Sequence, residues 1–176
     1  GLFLVSILGH GAAQPRQLVR SFSFRVSSFG ADESGDRRAI LAQTPTAREA
    51  VTVTNGGFES GSLSGWSENP HASLDTAEAA HGGRACARVR LEKDVDERSH
   101  AYLIQQIPVV PGKTYQLSGW VKTRDVQSFP VGGMSPTGAT VIVEFADTRG
   151  AWLAAGNYAK GLYGTTEWTR LMTSEV

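Results

Sequence analysis

From Val51 onward, hydrophobic and polar residues alternate at period two in a series of short runs, the mark of strands with one buried face. Val51–Thr54 opens the series and His71–Asp75 gives a short second strand. Gly82-Gly83 then turns the chain into Ala85–Leu91. In that run Ala85, Ala87, Val89 and Leu91 share one face, and Cys86, Arg88 and Arg90 share the other. Glu92–Ser99 reads as a charged loop, Ala101–Val109 as the next strand, and Pro111-Gly112 as the turn into Thr114–Thr123. There Tyr115, Leu117, Gly119 and Val121 alternate with Gln116, Ser118, Trp120 and Lys122, so a Trp stands on the polar face. Arg124–Gly138 is a Pro/Gly-rich loop. Ala139–Asp147 repeats the alternation, with Ala139, Val141, Val143 and Phe145 inward and Thr140, Ile142 and Glu144 on the opposite side. Trp152, Tyr158 and Tyr163 fall in a loop-like, Gly-rich stretch before a final strand at Trp168. About eight short strands with no convincing helix predict an all-β sandwich.

The ends of the chain differ in character. Apolar Leu2–Leu8 followed by small residues matches the end of a secretory signal, so residues 1–13 are expected to be a partial signal peptide and the protein to be secreted. The same run also reads as a core strand. Residues 14–50 are Arg- and Ser-rich and are expected to be a linker or poorly ordered segment. Phe22, Phe24 and Val26 alternate with Ser23 and Arg25, enough for one short strand, and Ala39–Gln43 suits a helical turn. At the other end Glu167–Val176 alternates like a strand and stops without a turn. Such an end leaves an open sheet edge, so the natural polypeptide is expected to continue and the domain over 51–176 to be incomplete.

Composition narrows the function classes. Hydrophobic residues make 40 % and charged residues 19 % of the chain, a globular rather than a disordered balance. Lys+Arg and Asp+Glu both total 17, and this zero net charge argues against nucleic acid or an acidic membrane surface as partner. Cys86 is the one cysteine, so no intrachain disulfide forms, and the four histidines show no metal-ligand spacing. The Gly-rich stretch Thr54–Trp66 lacks the Lys-Ser/Thr ending of a phosphate-binding loop, and no Gly-x-Ser-x-Gly elbow occurs. Glycoside hydrolysis needs two carboxylates held about 5–10 Å apart. Only Glu59 and Glu144 stand in suggestive places and neither has an evident partner, so the chain reads as non-catalytic.

Six motifs occur in order: Asn55-Gly-Gly-Phe-Glu-Ser-Gly61, Trp66, Gly82-Gly-Arg-Ala85, Gln106-Ile-Pro-Val-Val-Pro-Gly-Lys-Thr-Tyr115, Ser118-Gly-Trp-Val-Lys122 and Thr166-Glu-Trp-Thr-Arg170. Together they resemble carbohydrate-binding modules of the family four, nine and twenty-two type, over Val51–Val176. The resemblance implies a jelly-roll β-sandwich with a galactose-binding-like fold, lacking its closing strands here. It implies carbohydrate as the partner, in an accessory module covalently linked to a further domain such as a glycoside hydrolase. It also implies a structural calcium ion, held by the Glu59 side chain with backbone oxygens of Gly57 and Arg84.

A sugar site needs an aromatic plane for a pyranose face and placed polar groups for its hydroxyls. By alternation Trp120, Glu144, Arg88 and Gln106 are expected on one polar sheet face, with Trp152, Tyr158 and Tyr163 as loop aromatics at its rim. Trp66 and Trp168 are expected in the core. The competing expectation is a structural or adhesion spacer that uses the same sandwich without binding sugar. Whether Trp120, Trp152 and Tyr158 converge on one exposed groove separates the two.

Overall fold

In a computed structural model, the structure describes residues 2–6, 9–10, 17–30, 49–77, 80–91, 100–111, 113–126 and 138–175. Glu92–Ser99, the Ala39–Gln43 turn and most of the Arg124–Gly138 loop lie outside them. Every regular element among the described residues is a strand. They are β1 (Leu2–Ser6), β2 (Gly9–His10), β3 (Gln17–Gly30), β4 (Glu49–Val51), β5 (Ala72–Asp75) and β6 (Cys86–Leu91). Then follow β7 (His100–Ala101), β8 (Gln105–Pro108), β9 (Lys113–Val126), β10 (Ile142–Ala146), β11 (Trp152–Tyr158) and β12 (Gly164–Met172).

The strands form two main sheets. The smaller has the order β11-β10-β1-β8, and the larger the order β12-β9-β3-β6-β5 with β4 also paired to β3. All of these pairings are antiparallel, as is the small β2–β7 pair. Alternation explains the core between the sheets. Ala87 and Val89 of β6 and Tyr115, Leu117 and Val121 of β9 meet Ile107 of β8 and Val143 of β10 in one buried cluster. Phe58, Trp66 and Leu103 enter the same cluster from connecting segments. The all-β sandwich predicted from periodicity is the architecture observed.

Several boundaries differ from the expectation, each for a physical reason. The segment read as a 14–50 linker contains the fourteen-residue strand β3. β3 pairs with β9 from Leu18–Arg124 to Gly30–Lys113, and its other edge pairs with β6 and then β4. Backbone ladders on both edges outweigh an Arg/Ser-rich composition that by itself reads as unstructured. Leu2–Ser6, within the stretch read as a partial signal peptide, forms strand β1. The single strand expected over Ala101–Val109 divides into β7 and β8. Ser67 takes the backbone of Ile104 in between: Ser67 N–H donates to Ile104 O at 2.8 Å and Ile104 N–H to Ser67 Oγ at 2.9 Å. The stretch expected as a loop over Trp152–Tyr158 is strand β11. The Asp147–Gly150 turn folds it back on β10, with Asp147 Oδ1 accepting from Arg149 N–H at 2.8 Å and Ala151 N–H at 2.9 Å. The final strand does not end loose: Thr173 N–H donates to Leu117 O at 2.9 Å, and Leu117 N–H to Thr173 Oγ1 at 3.1 Å.

Candidate functional site

The Gly-rich stretch 54–66 is an ordered corner. Asn55 adopts φ 49° and Phe58 φ 60°, left-handed backbone that Asn tolerates because its short amide bonds locally. The Asn55 amide donates to Ser62 O at 2.9 Å, and its oxygen accepts from Ser60 N–H at 3.3 Å. Phe58 is fully buried, with its ring 5.5 Å from that of Trp66. Gln105 clips the corner to the sheet. Its side-chain oxygen accepts from Thr54 N–H at 2.7 Å, and its nitrogen donates to Thr54 O and Gly65 O, each at 2.9 Å.

Glu59 reaches from this corner to the 82–85 turn. Its Oε1 accepts from Arg84 N–H at 2.7 Å and Ala85 N–H at 3.0 Å, while Oε2 lies 3.6 Å from Arg84 Nε. These donors, Arg84 N–H foremost, hold the carboxyl below its ordinary range. Gly83, at φ 86°, packs so closely on Glu59 that a Cβ there meets the carboxylate. Calcium needs six or more oxygen ligands. The Glu59 carboxylate faces N–H groups and a guanidinium, the Arg84 backbone presents its N–H, and no cluster of three acidic, His or Cys residues exists among the described residues. In this arrangement the Glu59 carboxylate ties the two turns together.

The structure divides the expected sugar-site residues between two sheets. Trp120 of β9 and Arg88 of β6 stand on the outer face of the larger sheet, opposite Leu117, Val121 and Val89. The His81 imidazole stacks on the Trp120 ring at 3.7 Å and 14°, and Trp168 meets His81 edge-on at 5.7 Å. Arg88 forms an ion pair with Asp75, which is only 5 % exposed. Lys122 Nζ lies 2.9 Å from Glu167 Oε2, and Arg170 donates to Ser118 Oγ at 3.3 Å across β9–β12. Trp120 and Arg88 are half-buried there. Trp66 sits in the core as expected, whereas Trp168 belongs to the outer cluster.

Gln106 of β8 and Glu144 of β10 lie on the smaller sheet, in register with the same residue of β1, Leu4. Gln106 is exposed, while its neighbours Gln105 and Ile107 are buried on the core side. Glu144 sits opposite the core-facing Val143 yet is itself almost fully buried, and burial raises its carboxyl above the ordinary range. Tyr158, the end of β11, pairs with Ile142 and is 44 % exposed. Its phenol is raised by burial first and then by the charge of Glu144, which places the two groups within electrostatic reach of each other. Trp152 stands in β11 opposite Ala146. Tyr163 follows in the connection to β12, beside Gly138, and is 38 % exposed. Trp120, Trp152 and Tyr158 therefore do not share one sheet.

Sequence reasoning missed two residues that matter. Gln105 carried a signal, since Leu103, Gln105 and Ile107 alternate inward. His81 carried none, because only tertiary packing brings the 81–84 turn over Trp120.

The carbohydrate binding domain family model of the four/nine type matches residues 50–171, and the chain belongs to that family. Neither the curated proteins nor the solved structures give a significant match. The chain is thus a carbohydrate-binding module, and the family is one of binding domains rather than catalysts.

Proposed function

We propose that the outer face of the smaller sheet is the carbohydrate-binding surface. Tyr158 offers an aromatic ring to a pyranose face, and Glu144 and Gln106 supply hydroxyl partners, with Tyr163 at the rim. The observation that carries this reading is the register of β10 and β11, which sets a half-exposed Tyr158 on the same sheet face as Glu144. The Glu144 carboxyl oxygens can accept from sugar hydroxyls. We further propose an accessory role outside the cell, where polysaccharides occur, linked to a glycoside hydrolase or another secreted protein. Affinity electrophoresis of the protein in gels containing xylan, β-glucan or laminarin tests the reading. Retardation on one of them is expected, and mobility unchanged in all three sinks it.

The dispersal of the Trp120 cluster and Tyr158 over different sheets favours a second reading, a structural or adhesion spacer. In that case no polysaccharide retards the protein, and Tyr158 variants change neither stability nor mobility.

A further inference from the structure

The family match begins at residue 50, yet the central strand of each sheet comes from before it. Without β1, the smaller sheet falls apart into the β10–β11 pair and an isolated β8. Without β3, the larger sheet falls apart into the β9–β12 and β5–β6 pairs, and β4 loses its partner. Two-stranded pairs are at best marginally stable in water, and each bare edge carries a row of unpaired N–H and C=O groups. Each sheet of the family-matched stretch therefore contains a slot one strand wide, bordered on both sides by antiparallel edges.

From this topology we infer that β1 and β3 act as donor strands and that the domain is a receptor for them, joined to β3 through residues 31–48. The two slots are filled in different ways. β1 is short, five residues, and touches both β8 and β10 along most of its length. β3 is long, and its ladder with β9 spans nearly the whole of both strands. Recognition by strand addition draws its affinity from main-chain hydrogen bonds, so it tolerates the Arg/Ser-rich composition of β3. Covalent attachment through residues 31–48 supplies the high effective concentration that keeps the donor in place.

The test uses the whole chain. A protease recognition sequence inserted between Asp36 and Arg37 allows the folded protein to be cut and passed over a size-exclusion column. The 1–36 fragment is expected to co-elute with the remainder, to separate in denaturant, and to make the melting temperature of the cut protein fall on dilution. Val19 pairs with Thr123 on one side and Val89 on the other, so Val19→Pro removes a ladder donor whichever way its N–H faces. That variant is expected to release the fragment and unfold the remainder. Ser34→Pro, beyond the end of β3, is expected to do neither. A remainder that stays folded after the fragment has left overturns the inference. N-terminal sequencing of exported protein tests the β1 half separately: Leu2 is expected to be retained, and a mature terminus near Gln14 overturns it. Sugar binding is no part of either readout, so these outcomes are independent of the binding face proposed above.

Discussion

The two outer faces of the sandwich use similar residue types to opposite ends. On the larger sheet, described side chains meet one another: His81 stacks on Trp120, Arg88 pairs with Asp75, and Lys122 reaches Glu167. On the smaller sheet, Tyr158 and Gln106 are exposed while Ile142 and Glu144 of β10 are buried, and burial raises the Glu144 carboxyl. An aromatic residue on a polar strand face can thus take a neighbouring ring as its partner.

Substitutions can break this comparison. The largest stability effect is expected from Arg88→Ala, which leaves the buried Asp75 carboxylate without its cation at a cost of about 3 kcal/mol. Chemical denaturation should register it, with polysaccharide mobility of the folded fraction unchanged. Next is Tyr158→Ala, expected to weaken carbohydrate binding about 10- to 100-fold by calorimetry, as for loss of an aromatic anchor. Trp120→Ala is its control and should lower the melting temperature while leaving affinity within about twofold. Equal loss of affinity in both variants would break the distinction between the faces.

Gly83→Ala is expected to cost about 1–2 kcal/mol, because φ 86° disfavours any Cβ and the Glu59 carboxylate occupies the space. Chelation by EDTA tests the calcium expected at the Glu59 corner: a carboxylate tie alone leaves the melting temperature where it was, and a marked fall assigns the ion to that corner. The smallest effect concerns pH. Since the folded-state value of Glu144 lies above the ordinary 4.5, its burial favours the folded state fully only below that value, and this contribution is lost as pH rises through the folded value. Glu144→Gln should therefore raise the melting temperature at pH 7, with the gain vanishing below about pH 4. For Glu59, held low, the sign reverses: its contribution is present above 4.5 and disappears as pH falls through the folded value.

Much of the fold was legible because side-chain alternation is a local property. Leu117 and Val121 inward, Trp120 outward, and the 55–66 corner with Phe58 buried all follow from spacing and turn chemistry. Sheet membership was not legible. Alternation tells which way Trp120 and Glu144 turn from the core, but only long-range pairing decides that they turn away in opposite directions. β3 escaped for a related reason, since its stability resides in neighbours distant in sequence. The Asp147–Gly150 turn did carry a readable signal for β11, which the glycines beyond it obscured.

Gln105 and Gln106 are chemically identical neighbours with divergent fates. One is a buried clasp between Thr54 and Gly65, and the other is a solvent-facing position beside the proposed sugar surface. The period-two rule thus gives β8 two separately tunable alphabets. Substituting residue 106 is expected to leave the clasp and core intact, whereas deleting a single residue there would exchange the two positions and dismantle the clasp.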